Sequence, residues 1–539
     1  MDQTIQRVAR LNEIGISLSA ERDTNIVCDK ILKGAMELTN ADGGSLYRMS
    51  EDQQTLEFII VDNRSLGIHM GGISGVEINF PPIQLFKDDK RNINMVVSCA
   101  VHEDRTINIP DAYDAEGFDF SGTRMFDEQT GYRTQSILTV PMKNHEGEII
   151  GVLQLINAKD ELGNTKEFSL EERDLAESLA SQAAVALTNN RLIEEQRELF
   201  EAFIKLIAGA IDEKSPYTGG HCRRLPELTM MIADACHDSN IGVLKDFSMK
   251  DEDRYELRIA GWLHDCGKVT TPEYVVDKAT KLETIYDRVH TVDTRFEVLK
   301  RDEKIAMLEK KLARLSDDIN ADTNDLEQDF ERKIKQLDDD RDFIRISNVG
   351  GEFMDDELQQ RVRDIAKYRW LDVNNNESNL LDDDEIKNMI IQRGTLNDDE
   401  REIINNHIVM TIKMLGELPF PKHLLNVPEY AGGHHERMDG KGYPLGLTRE
   451  QLSIPARMMG IADIFEALTS SDRPYKKGKK LSECLRILGF MKQDGHVDPD
   501  IFDVFVKEKV YMRYAEEYLP KDQIDEIDES KIPGYEVRS

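Results

Sequence analysis

From Ser169 to Ile207 a single helical period runs almost unbroken. Ser169 with Glu172 three residues later forms a capping box, and Leu175, Leu179, Ala183, Ala186, Ile193, Phe200, Phe203 and Ile207 carry an apolar stripe along one face. A helix of roughly 40 residues spans about 60 Å, more than one small domain can cover. The chain is therefore expected to fold as two parts joined by a connector helix, placed at 169–212. Such a stripe can pack on its own domain. The sharper reading is a parallel dimer helix that transmits a signal, which makes a homodimer the expected assembly.

The two flanks differ in period. Residues from about 10 to 165 mix short helical patterns with the β-rich runs SLYRM, LEFIIV and SILTVPM, and HEGEIIGVLQLIN reads as a tight turn at Glu146-Gly147 entering a strand. This part is an α+β module. From Ser215 to about Tyr518 the pattern is mostly helical, with histidine-rich loops. Between Arg301 and Asp340, Ile305, Leu308, Leu312, Leu315, Ile319, Leu326, Phe330, Ile334 and Leu337 form a coiled-coil seam in a mainly acidic setting. Turn-forming residues Asn320 to Asn324 interrupt it, so an antiparallel helical hairpin is expected there. Asn374-Asn375-Asn376 and Asp382-Asp383-Asp384 read as solvated linkers.

Acidic residues number 103 against 69 basic ones, a net charge of −34, which disfavours a nucleic-acid polymer as partner. No apolar run approaches the roughly 18 residues of a membrane span, and the first residues lack the apolar core of a secretory signal. Six cysteines lie scattered without C-x-x-C spacing, which fits reduced thiols. A cytoplasmic location is expected.

Three strings carry metal-ligand chemistry: YTGGH ending at His221, LHDCGK with His264, Asp265 and Lys268, and HHERMDGKGYP beginning at His434. Asp463 in IADIFEALTS joins them. Imidazoles supply directional nitrogen ligands, whereas a carboxylate can bridge two cations and offset their charge. A lone His-Asp pair says almost nothing, but the ordered combination of HD-x-Gly-Lys, a distant HHE with a glycine-rich tail, and a later Ala-Asp on an apolar helix is specific.

LHDCGK, HHERMDGKGYP, IADIFEALTSSDRPY and YTGGHCRRL resemble the HD-GYP family of cyclic di-GMP phosphodiesterases over about 200–520, less the insertion. The resemblance implies an all-helical HD core, two or three iron or manganese ions, and hydrolysis of cyclic di-GMP to pGpG or on to GMP. Residue by residue, it makes His221, His264, Asp265, His434, His435 and Asp463 metal ligands, with Asp265 bridging and Lys268 near the scissile phosphate. It makes Tyr443, with Gly442 and Pro444 of its loop, substrate-contacting, and Arg473 a phosphate partner.

A further histidine ligand is implied between HD and HHE. His407 in EREIINNHIVMTIKML and His290 in IYDRVHTVDTRFEVL both stand in that interval, and the apolar surroundings of His407 match the family helix better. Where three-metal members carry Glu four residues before the first histidine, this chain has Tyr217, so two ions are expected.

The N-terminal module resembles a GAF domain through INIPDAY, DEQTGYRTQSILTVPM and GEIIGVLQLINAK. Asn157, Lys159, Phe168 and Glu172 look like a loose form of the N-K-F-D-E motif of cyclic-nucleotide-binding GAF domains, which implies a cyclic nucleotide ligand; the same residues can instead lock a loop to the sheet. The expected architecture is multidomain: an α+β GAF sensor at 1–168, the connector, and an all-α HD-GYP output at 213–520 with a helical hairpin insertion at about 296–394 and a tail at 521–539. The expected function is metal-dependent hydrolysis of cyclic di-GMP under GAF control, with the insertion available to a protein partner. Two rivals are a catalytically silent cyclic di-GMP receptor and a hydrolase of another cyclic (di)nucleotide.

Overall fold

The computed structural model describes residues 2–214, 220–351, 353–374, 376–470 and 478–536, with the side chains of residues 2–4 excepted. The chain divides into two compact units, residues 1–200 and 201–539.

In the first unit an antiparallel sheet runs in the order Ile68–Gly71, Thr55–Asn63, Ala41–Met49, Ile149–Lys159, Ile137–Lys143, Ile107–Ile109. The hairpin between its two long later strands turns at Gly147, whose φ of 84° suits a residue without Cβ. Asp23 caps the helix Thr24–Thr39 by accepting from the Asn25 and Ile26 amides. That helix and the first part of the connector bury Val27, Ile31, Leu32, Leu175, Ala176, Leu179 and Ala183 against Leu46, Leu153 and Leu155 of the sheet. The alanines on the connector are small enough to let its backbone approach closely.

The connector is one 45-residue helix, Leu170–Lys214. Ser169 and Glu172 form the capping box at its start, with the Ser169 amide donating to Glu172 Oε2 and the Glu172 amide to Ser169 Oγ. Its stripe changes character along its length: Leu175, Leu179, Ala183 and Ala186 are buried, whereas Leu192, Ile193, Leu199, Phe203, Leu206 and Ile207 are exposed.

The second unit is a helical assembly built mainly from His221–His237, Asp251–Leu263, Asp398–Gly416, Ile454–Thr469, Leu481–Gln493, Pro499–Lys507 and Val510–Tyr518. Phe465 anchors it, edge-on to Phe505 at 5.0 Å and to Tyr514 at 5.9 Å between ring centroids. Helices Val289–Asp317 and Asn324–Asn348 form an antiparallel hairpin, tied along its length by Lys333–Glu303, Arg314–Asp325 and Lys311–Glu327 pairs.

The hairpin reaches well beyond the 301–340 seam, and its base has a core of its own. Val292, Phe296, Leu299, Leu337 and Ile344 pack there with Val362, Ile365, Leu380, Leu381 and Met389. Asp340 is buried and accepts from Arg361 and from the Tyr368 hydroxyl. The two runs read as linkers have other roles. Asp372 accepts from the Asn374 and Asn376 amides between the strands Arg369–Leu371 and Glu377–Asn379 of a small hairpin, Asn375 lying outside the described residues, and Asp382 caps the helix Asp383–Met389 in a capping box with Glu385. Turn and cap residues share the polar composition of a linker, which is why composition alone did not separate them. Among the described residues no helix is long and apolar enough to cross a membrane.

Candidate metal centre

Four chain segments converge because their local structure forces them together. Helix Asp251–Leu263 ends at His264, and Asp265 then leads into the tight turn Cys266–Thr270. Gly267 in that turn lies so close to helix Asp398–Gly416 that a Cβ added to it would stand 1.9 Å from the His407 carbonyl oxygen, and its amide donates to Thr411 Oγ1 at 2.9 Å. This contact brings Asp265 beside His407. Gly442 serves the GYP loop in the same way: a Cβ there would meet the Arg437 amide nitrogen at 2.3 Å. Glu436 completes the loop's anchorage, buried and accepting from the Leu445 and Leu447 amides at 2.7 and 2.9 Å.

Three histidines are aimed by one device. His264 Nδ1 bonds the Gly261 carbonyl at 2.8 Å, His407 Nδ1 that of Ile404 at 2.5 Å, and His434 Nδ1 that of Ala431 at 2.6 Å, each three residues upstream. In the neutral rings the proton thereby sits on Nδ1, which leaves Nε2 with its lone pair facing the centre. His221 is aimed from elsewhere, its Nδ1 lying 2.5 Å from Glu466 Oε2, while Glu466 Oε1 accepts from Arg224 Nε at 2.7 Å.

The Nε2 atoms meet around Asp265. Its Oδ2 lies 3.0 Å from His264 Nε2, 3.4 Å from His221 Nε2 and 2.6 Å from Lys268 Nζ, and its Oδ1 lies 3.2 Å from His407 Nε2. His435 Nε2 is 3.2 Å from His407 Nε2, and Asp463 Oδ1 is 3.4 Å from His221 Nε2. The donors sort into two groups that can each hold an ion, His221 with His264 and Asp265, and His407 with His434 and His435. The two oxygens of Asp265 face one group each.

The electrostatics suit cations. Burial and then the neighbouring histidines push His434 and His435 well below the usual imidazole range, so both are neutral, the state in which a histidine binds a metal. Burial works against ionising Asp265, yet His264 and Lys268 outweigh it and hold its carboxyl well below the ordinary range. Burial likewise disfavours charge on Lys268, and Asp265 and Asp463 keep it an ammonium. His221 departs from this pattern: burial opposes protonation, but Glu466, Asp265 and Asp463 prevail and raise it to about 10, so an ion there would have to displace its proton.

Two buried acceptors, Asp265 Oδ1 and His434 Nε2, have no hydrogen-bond partner among the described residues although the site is packed with polar groups. Asp265 Oδ1 is near His407, but the alignment is not that of a hydrogen bond. Orphaned buried lone pairs converging with nitrogen lone pairs fit divalent cations, which would satisfy all of them at once.

Tyr443 stacks on His435, with ring centroids 4.8 Å apart and planes at 21°. Burial, then Asp463 and Asp265, raise its hydroxyl to about 12, so it remains a neutral phenol. Pro444 follows it in the loop that Glu436 holds. His290 stands exposed at the start of helix Val289–Asp317, away from the cluster that includes His407. Tyr217 and Arg473 lie outside the described residues. Glu466, Arg224, Glu436 and Thr411 were not singled out from sequence. For Glu466 a signal existed, since it follows Asp463 by three residues and so shares its helix face.

In the first unit the motif residues have other neighbours. Asn157 is buried at φ 54°; its Oδ1 accepts from the Gln135 amide, and its Nδ2 donates to the Tyr132 hydroxyl and the Arg133 carbonyl. Lys159 Nζ donates to Thr165 Oγ1, Phe168 lies in the core, and Glu172 accepts from Lys166 and Ser169.

The GAF domain family matches residues 23–187 and the HD domain family residues 384–501, the second including His407, His434, His435 and Asp463. A cyclic di-GMP phosphodiesterase of Pseudomonas aeruginosa is 41% identical over 114 residues, 21% of this chain and 26% of that protein. A 3′3′-cGAMP-specific phosphodiesterase of Vibrio cholerae is 39% identical over 114 residues, again 21% of this chain and 26% of that protein. A cyclic di-GMP phosphodiesterase of Thermotoga maritima is 34% identical over 119 residues, 22% of this chain and 32% of that protein. The chain thus spans about a quarter to a third of the length of these relatives. On its fold and these matches the chain joins a GAF domain to a helical HD domain, and its HD part is consistent with the HD-GYP type.

Proposed function

We propose that the chain is a metal-dependent phosphodiesterase that hydrolyses cyclic di-GMP to pGpG, GMP or both, regulated through its GAF domain. The observation that carries this reading is the division of Asp265 between two donor groups, with orphaned lone pairs on Asp265 Oδ1 and His434 Nε2 facing the second of them. His221, His264 and Asp265 would hold one ion and His407, His434 and His435 the other, with Asp463 beside the first; iron or manganese suits this nitrogen and carboxylate set. When bound, such ions supply Lewis acidity for in-line attack of water on phosphorus.

The chain's own residues supply the rest. Lys268, kept charged by Asp265, can neutralise charge building on the phosphoryl oxygens or protonate the leaving 3′-oxygen. Tyr443, backed by His435, offers an aromatic face to a guanine base. The exposed apolar residues of the connector from Leu192 to Ile207 support a homodimer built on that helix. The hydrogen bonds of Asn157, Lys159 and Glu172 favour the loop-locking role of the GAF motif over direct contact with a nucleotide.

The test is anaerobic loading of the purified chain with Fe²⁺ or Mn²⁺, metal analysis, and turnover assays on cyclic di-GMP and 3′3′-cGAMP. Cyclic di-GMP is expected to be hydrolysed in preference. Full loading with tight dinucleotide binding and no product would instead establish a receptor, and preference for 3′3′-cGAMP would reassign the substrate.

A further inference from the structure

The last turn of the connector helix touches both strings that carry the His221, His264 and Asp265 group. Asp212, buried, accepts from the Gly220 amide at 3.2 Å and from the Cys222 amide at 3.4 Å, the residues on either side of His221. Lys214 donates to the carbonyls of Lys268, Val269 and Thr271 at 3.3, 2.6 and 2.7 Å, at the end of the turn that begins after Asp265. Residues two apart on a helix point about 200° from each other, so a single turn can grip two segments on opposite sides.

Both grips fall at the ends of helical elements. Helix His221–His237 has Gly220 at its N-cap and no side-chain cap of its own, and Asp212 supplies an acceptor there. The turn Cys266–Thr270 is closed by the Thr271 amide donating to the Lys268 carbonyl, and Lys214 adds an ammonium to the carbonyls of Lys268, Val269 and Thr271. An anion at one N-terminus and a cation at one C-terminus are the favourable pairing with the dipoles of both elements.

We infer that Asp212 and Lys214 are positioning residues, a two-sided clamp through which the end of the connector sets His221 and the Asp265–Lys268 turn at the same time. This rests on the phosphodiesterase reading for its consequence, but the clamp itself is defined by geometry in the chain. A rotation or shift of the helix end moves the two strings in concert and changes the spacing of the donors they carry.

The test uses Asp212→Ala, Lys214→Met and Lys214→Arg in the full chain. Amide hydrogen exchange is followed over 220–224 and 266–272, and Mn²⁺ affinity is measured without substrate. Asp212→Ala is expected to speed exchange in the first segment and Lys214→Met in the second, each weakening Mn²⁺ binding by about tenfold, with Lys214→Arg recovering most of the affinity. Unchanged exchange, or faster exchange with wild-type affinity, would overturn the clamp as a positioning device. A wild type that binds Mn²⁺ yet hydrolyses no cyclic dinucleotide defeats the phosphodiesterase reading while the variants still decide the clamp. A wild type that binds neither Mn²⁺ nor Fe²⁺ overturns both.

Discussion

Both units contain a set of polar residues that resembles a ligand site, and the two sets differ in what their atoms already do. Around Asp265 the lone pairs of His434 Nε2 and Asp265 Oδ1 have no hydrogen-bond partner among the described residues, and imidazole nitrogens face each other at 3.1 and 3.2 Å. In the GAF domain the Asn157 amide makes three hydrogen bonds within its own domain and Glu172 is held by Lys166 and Ser169. A site that awaits a ligand keeps hydrogen-bonding capacity in reserve at some cost in stability, whereas a structural motif satisfies it internally. Substitutions should therefore have opposite signatures: lost binding with little unfolding at the first, lost stability with no lost ligand at the second.

The largest effect is expected from Asp265→Ala. Removing the carboxylate that faces both donor groups should reduce metal content and turnover to background in the same preparation, read by elemental analysis and product formation. A variant that keeps two ions would break the contrast at its centre.

Lys268→Met should keep its metals and lose about 10²- to 10³-fold in kcat, the usual cost of one lost charge-stabilising donor. Full activity would remove Lys268 from the chemistry. Glu466→Gln should weaken metal binding by about 10- to 100-fold, because the carboxylate that aims His221 is gone while the ring remains. Titration with Mn²⁺ reads this directly.

On the GAF side, Asn157→Ala should lower stability by about 2–4 kcal/mol, from a left-handed backbone that alanine adopts poorly and from buried groups left unpaired. Thermal melting of the chain followed through the GAF sheet measures it. A cyclic nucleotide whose binding vanishes in this variant without a stability change would make the motif a ligand site after all. Glu172→Gln should cost about 1 kcal/mol at neutral pH. Burial would raise the Glu172 carboxyl, but Lys166 and Ser169 lower it below its ordinary value. Its contribution is thus complete above about pH 4.5 and fades as pH falls through the lower folded value. Melting curves of the two proteins should converge in acid; a gap that persists there would show that charge is not its source.

The sequence made some of this legible and hid the rest for identifiable reasons. The capping box at Ser169 and the stripe from Leu175 marked the connector, because a period of 3.6 over so many residues has few other meanings. His264, Asp265, His434 and His435 were visible as adjacent pairs of ligand types. Glu466 and Glu436 were not, since a buried carboxylate that orients a ring or anchors a loop looks like any helical or loop glutamate until its partners are known. The core at the hairpin base was hidden for another reason. Its apolar residues are divided between the base of the two long hairpin helices and short elements between Met354 and Met389, and the short ones show no period of their own.

The carbonyl bonds that fix His264, His407 and His434 make ring direction a property of the surrounding backbone rather than of whatever the rings bind. An incoming ion would then find nitrogens already pointed at it, that of His264 in one group and those of His407 and His434 in the other, and little conformational freedom would be lost on capture. The same holds in reverse. Removing an ion with a chelator would leave those three rings facing inward, so repeated stripping and reloading would require no new search through rotamers and tautomers. Which divalent ion such a centre would hold at a given moment would then be governed by supply and ligand preference, on the timescale of diffusion and ligand exchange rather than of refolding.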